Sequence, residues 1–194
     1  MKHSSIRELF EYWNARRGRR PAPERTDIEP GAIRRVLADT FILSFEPRVG
    51  HPFRIAGTRV CALFARELKG EAFLDLWPAQ RRKEMRDLLA IVAQESVGVV
   101  ASVAGASADG AAVSLEFLAL PLSHHGQTDA RLLGALAPVA MPYWFGINAL
   151  GALTLGSHRF IGTVAESEAL PRLAPTLPQG KLSRGFVVYD GGQS

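Results

Sequence analysis

The stretch FRIAGTRVCALFARELKGEAFLDLW, residues 53–77, holds the switch from strand to helix on which the fold turns. It opens on Phe53-Arg54-Ile55-Ala56, which together with Pro52 reads as a short strand that Gly57 ends. The apolar spacing then changes from two to three and four. Val60, Leu63 and Phe64 mark one short helix, and Phe73, Leu76 and Trp77 mark another, with Lys69-Gly70 between them. Pro78 follows, and the spacing predicts a longer helix over about 79–95. Its stripe is Met85, Leu88, Leu89 and Val92, and its wet face is Arg82, Lys83, Arg86 and Asp87.

Strands lie on both sides of this helical stretch. Upstream, residues 40–46 (TFILSFE) and 52–56 form an antiparallel hairpin turned by Pro47 to Gly50. Downstream, residues 97–105 (VGVVASVAG) and 112–122 are joined by Ala108-Asp109-Gly110, a hairpin turn. A polar loop from His124 to Asp129 leads to a third long strand, 131–141, bent near Pro138. Two strands, a helical crossover and a three-strand meander give an α+β fold: a five-stranded antiparallel sheet with helices on one face. Leu153 to Ile161 is a further strand candidate, 163–183 reads as a loop, and 186–189 (FVVY) as a short terminal strand. The expected division is an N-terminal helix and connector (1–30), a core (31–145) and a C-terminal extension (146–194).

The N-terminal helix is amphipathic. Ser5-Ile6-Arg7-Glu8 has the form of a capping box, and Gly18 supplies the stop. Ile6, Leu9, Phe10 and Trp13 fall at i, i+3, i+4 and i+7, a stripe to be buried against its own domain or a second copy. They are the candidate dimer or partner residues. Pro21-Ala22-Pro23 forces an extended connector, and a second short helix is expected near Pro30, with Ile33, Val36 and Leu37 inward.

The 194 residues suit one domain with extensions, and a 47% hydrophobic content supports a real core. No apolar run reaches the roughly 18 residues of a membrane span, and the N-terminus has no signal-peptide pattern. A lone Cys61 excludes an internal disulfide and fits the reducing cytoplasm. The net charge of +4 invites a nucleic-acid reading. However, the excess sits in Arg16, Arg17, Arg19 and Arg20 and at 81–83, without the interleaved aromatics of a single-strand binder, so nucleic acid is not the expected partner. No G-x-S-x-G, P-loop or G-x-G-x-x-G is present, and no catalytic residue is assigned. His3, His51, His124, His125 and His158 do not converge in sequence, and the neighbours His124 and His125 would point to opposite faces of a strand, so no metal site is expected.

The element order and the run 53–77 resemble a PAS domain. Tyr12-Trp13, Arg19 with Pro21, Arg25, FRIAGTRVCALFARELKG and ARLLGALAP (130–138) are similar to small bacterial proteins that carry little beyond one divergent PAS domain. The resemblance covers about residues 8–160. It implies a sheet and a helical face enclosing a space for a small ligand or cofactor, with the sheet or an N-terminal helix passing the state to a partner. Two cofactors of the class are disfavoured by missing residues. Gly70-Glu71-Ala72-Phe73-Leu74, where a flavin photosensor needs its Cys, has none, and residues 79–96 lack the axial His of a haem sensor. Any cofactor is therefore left unnamed.

The candidate ligand pocket on this reading is Phe53, Arg59, Phe64, Phe73, Trp77, Leu89, Phe117 and Leu136, unless those side chains fill the space themselves. Arg54 and Arg59 flank Gly57, and a guanidinium at the mouth could hold a carboxylate or phosphate, though Arg54 alternates away from Phe53. The expected function is a non-catalytic, cytoplasmic sensor or adaptor in signal transduction, working by protein–protein contact with a homodimer mate or signalling partner. The alternatives are a small-metabolite-binding regulator and, further off, a DNA-associated regulator using residues 16–20.

Overall fold

Side-chain alternation along a central sheet divides the molecule into two apolar layers. The computed structural model describes residues 1–124, 127–162, 182–183 and 186–187. Helix α1 (Ser4–Arg17) is followed by 3-10 turns at Arg25–Asp27, Pro30–Ile33 and Leu37–Asp39, where one short helix was expected. Strands β1 (Thr40–Ser44) and β2 (Phe53–Ala56) form the hairpin. Helix α2 (Thr58–Leu63), a 3-10 turn at Phe73–Leu76 and helix α3 (Arg82–Gln94) make the crossover. Strands β3 (Gly98–Ala106), β4 (Ala112–His124) and β5 (Gln127–Pro138) form the meander, and β6 (Thr154–Ile161) returns to its edge. Two-residue strands β7 (Leu182–Ser183) and β8 (Phe186–Val187) pair with each other. The remaining expectations for 163–194, and His125, lie outside the described residues.

The main sheet has six strands, not five, in the order β2-β1-β5-β4-β3-β6, all antiparallel. The sixth strand pairs with the far edge of β3, from Gly98↔Ile161 to Ala104↔Thr154. It is exposed along most of its length and carries Thr154, Ser157, His158 and Arg159, as an edge strand facing water does. That polarity is why it gives little apolar signal.

On the inner face, Phe41 and Leu43 of β1, Val99 and Val103 of β3, Leu115 and Phe117 of β4, and Leu132 and Leu136 of β5 pack against α2, the 73–76 turn and α3. On the outer face, Ile42, Val100, Leu118, Leu120, Leu122 and Leu133 pack against α1 and the 22–36 segment. Burial on both faces explains why these strands read as near-continuous apolar runs instead of alternating ones. The segment after β5 closes the inner layer. Trp144, Leu150 and Leu153 are buried in it, and the Leu150 and Leu153 amides donate to the carbonyls of Leu63 (2.7 Å) and Leu76 (2.8 Å).

The start of α1 differs from the expected capping box. His3 is the cap, its Nδ1 accepting from the Ser5 amide at 3.2 Å, while the Ser5 hydroxyl turns away to the Asp39 carboxylate at 2.6 Å. A buried carboxylate across the chain outcompetes the local cap. At the other end Gly18 takes the left-handed φ of 56° and stops the helix.

Candidate functional site

Phe53, Phe64, Phe73, Trp77, Leu89, Phe117 and Leu136 all lie in the inner core, each 2% exposed or less. They are packed on one another. Phe73 stacks on Phe117 at 5.7 Å between ring centroids, Phe53 meets Phe73 edge-on at 5.8 Å, and Phe73 touches Trp77 at 6.0 Å. Phe41, absent from the expected set, stands at the centre, stacked on Phe73 (5.8 Å) and Phe117 (6.2 Å) and edge-on to Phe53 (5.6 Å). It can lie flat over β5 because Gly134 beneath it has no Cβ; one placed there would collide with its ring.

Arg59, the expected polar group of the pocket, does not enter this core. Its Nε and Nη2 donate to the two oxygens of Asp39 at 2.6 and 2.7 Å, a bidentate pair that raises the Arg59 pKa through that bond. Asp39 is buried and also accepts from Ser5 on α1. One carboxylate thus joins α2, on the inner face, to α1, on the outer face, around the start of β1. Arg54 is exposed on β2.

The stripe on α1 is not exposed for a partner. Ile6, Leu9 and Trp13 are completely buried in the outer core, and Phe10 packs against it. Trp13 Nε1 donates to the Pro121 carbonyl at 2.8 Å. Glu116 on β4 is mostly buried and accepts from the backbone amides of Lys2 (2.9 Å) and His3 (2.7 Å). Three arginines at the end of the helix and just after it are engaged. Arg17 is buried, lies over Trp13 and donates to the Gly162 carbonyl at 2.7 Å; Arg16 meets Glu29 at 3.4 Å and Arg20 meets Asp27 at 2.7 Å. The Arg20 bond holds the Asp27 carboxyl below the usual carboxylate range.

Two side chains break the pattern of a satisfied interior. His51, between the left-handed Gly50 and Pro52, is itself left-handed at φ 58° and has no exposed surface. Neither ring nitrogen has a hydrogen-bond partner among the described residues, and the same holds for Trp77 Nε1. Burial, and then the positive charge of Arg86, push the His51 pKa down to about 4; the Ser44 backbone and Glu46 oppose the shift without overcoming it. Its ring rests against Phe45 at 4.8 Å. Cys61 is buried on α2, and among the described residues no three His, Cys, Asp or Glu side chains gather in a way that could hold a metal.

A family model described as "PAS domain" matches residues 1–137. The chain belongs to the PAS domain family. The match starts at residue 1, so α1 and its connector fall within the PAS pattern. It ends before the segment that carries Trp144, Leu150 and Leu153 into the PAS core. Three solved structures are similar. A light-oxygen-voltage (LOV) protein of Rhodobacter sphaeroides is 9% identical with a TM-score of 0.43, over 54% of this chain and 60% of that one. An RNA-binding light-oxygen-voltage receptor is 18% identical with a TM-score of 0.44, over 59% of this chain and 33% of the receptor. A light-oxygen-voltage domain from a flavin-analogue study is 14% identical with a TM-score of 0.44, over 58% and 85%. The alignments thus span less than two thirds of the first two of these proteins. Comparison with curated proteins finds no match. PAS membership points to a sensory or signalling module. Among the described residues, no helix is long and apolar enough to cross a membrane.

Proposed function

We propose that this chain is a non-catalytic PAS module of signal transduction that acts through protein–protein contacts, with α1 as the element that carries its state outward. The observation behind this reading is the Asp39 junction. A displacement of α2 on the inner face pulls on Arg59, hence on Asp39, hence on Ser5 at the first turn of α1. Release of α1 uncovers Leu118, Leu120, Leu122 and Leu133, an apolar sheet face that a second copy or a signalling partner would cover. The single thiol fits a cytoplasmic setting.

Hydrogen exchange on the full-length variant D39N tests this. Loss of the carboxylate's charge weakens both contacts, so amide protection across Ile6 to Trp13 is expected to fall about tenfold, about 1.4 kcal/mol, while β3, β4 and β5 keep theirs. Sedimentation of the same variant is expected to show increased self-association. Unchanged protection in α1, or an equal loss everywhere, rejects the junction as a coupling element.

A second reading is favoured by the unpartnered His51 and Trp77 nitrogens: a regulatory module that holds a small metabolite in the inner core, where those groups would gain hydrogen bonds. Native mass spectrometry of protein purified from its source separates the two. A retained small molecule of defined mass favours the metabolite reading, and a ligand-free dimer favours the adaptor.

A further inference from the structure

Three arginines converge at one outer corner of the sheet, and among the described residues no carboxylate pairs with any of them. Arg131 stands near the start of β5, opposite Ser44 of β1 and Leu122 of β4. Two residues further along, Leu133 lies in the outer core, so strand alternation places Arg131 on that same face. His124, at the end of β4, meets the Arg131 guanidinium at 3.3 Å. Arg25 arrives from the connector after α1, set in place by the bridge between Glu24 and Ser123. Arg54 comes from β2, beyond β1, on the side away from Phe53. Burial and then the charges of Arg54 and Arg25 lower the Arg131 pKa. Six other arginines, Arg16, Arg20, Arg59, Arg66, Arg81 and Arg82, each meet a carboxylate. Among the described residues none of the three at this corner does.

We infer that this corner binds a small phosphate-bearing anion, gripped by Arg25, Arg54 and Arg131. Converging cations on a partly desolvated surface repel one another, and an anion between them reverses the sign of that interaction. Guanidinium forks match phosphate oxygens in pairs, and three of them suit a multiply charged group better than a single carboxylate. The bound anion would tie the connector behind α1 to β2 and β5. The site lies at the opposite end of β1 from Asp39, so it stands or falls independently of the coupling proposed there.

Calorimetric titration of the full chain with inorganic pyrophosphate at low salt is the test. Saturable binding is expected with a Kd of about 1 mM or tighter. R131Q and R54Q are each expected to weaken it at least tenfold, and R81Q, whose guanidinium pairs with Glu84 on α3, to leave it unchanged. Arg54 is exposed, so R54Q remains informative should R131Q fail to fold. Absence of saturable binding, or equal weakening by R81Q, overturns the proposal. Steeply salt-dependent binding of a short oligonucleotide without pyrophosphate binding would replace the small ligand by nucleic acid and also overturns it.

Discussion

Replacing Gly57 by alanine is expected to destabilise the protein by about 3 kcal/mol, a large share of a typical domain's stability. Gly57 ends β2 and caps α2, and its φ of −69° is open to any residue, so backbone freedom is not the reason for glycine. Space is. A Cβ at this position would fall inside the van der Waals radii of the Leu37 and Ala38 carbonyl oxygens, and both belong to a fixed 3-10 turn. That turn cannot retreat cheaply. The Leu37 carbonyl also accepts from the Thr40 hydroxyl at 2.9 Å, and the Gly57 amide itself donates to the Thr40 carbonyl at 2.7 Å. Relief requires moving α2 away from β1, which stretches the Arg59–Asp39 pair as well. Urea unfolding of G57A should show a lower midpoint with an unchanged slope. A midpoint within error of the wild type would mean that the turn yields freely and that the close approach is not a constraint.

The same glycine shows how much of the fold was legible. A strand ending in glycine, two short helical pieces and a long helix were readable in 53–77 because the apolar period switches there and each piece buries a stripe. The meander was readable because β3, β4 and β5 are long and apolar on both faces. β6 was legible as a strand candidate, Leu153 to Ile161, but not as a member of the sheet, and it raises the strand count from five to six. Its residues outside Ile161 are mostly wet, so no apolar stripe ties it to the core, and it joins the sheet by pairing with the edge of β3. α1 was readable as a helix, and its stripe as something to be buried. Which surface it buries is a tertiary matter: the outer sheet face offers Leu118, Leu120 and Leu122, and no local signal says that β4 is apolar on that side for α1's sake.

The candidate site was legible in part. Seven of the eight expected pocket residues do share the inner core, because each sits on the apolar face of its element. Phe41 was hidden within the uniformly apolar run of β1, where nothing in the spacing singles out the ring that the others stack on. Arg59 was named for the wrong contact, since its partner Asp39 lies 20 residues away and an acid just before a strand carries no pattern of its own. Glu116 did leave a signal. An acid in the middle of a run from Val113 to Leu122 calls for a partner, and it has the Lys2 and His3 amides. His51 left almost none, being a single histidine between Gly50 and Pro52 in what reads as a turn.

That histidine makes the chain acid-sensitive well above the range where carboxylates titrate. In the unfolded chain His51 has the ordinary pKa of 6.5, while in the folded protein it is pushed down to about 4. Across that window the unfolded state binds the extra proton and the folded state refuses it, so stability rises with pH. The contribution is complete above pH 6.5 and is lost as pH falls towards 4. Its size follows from the shift, at 1.36 kcal/mol per unit, as about 3 kcal/mol in all, with most of it gone by pH 4.5. The Ser44 backbone and Glu46 favour the new proton, but burial and the charge of Arg86 on α3 outweigh them. The control is H51N, because asparagine tolerates the left-handed backbone at this position and does not titrate. Urea unfolding of both proteins at pH 7 and pH 4.5 isolates the effect: the wild type is expected to lose about 2–3 kcal/mol more than H51N between the two. Equal losses would show that His51 titrates alike in the folded and unfolded chain, and so is not shielded as its burial requires. A wild-type slope abolished by a co-purified small molecule would instead place that molecule's hydrogen bond on the imidazole, which is the outcome the metabolite reading requires.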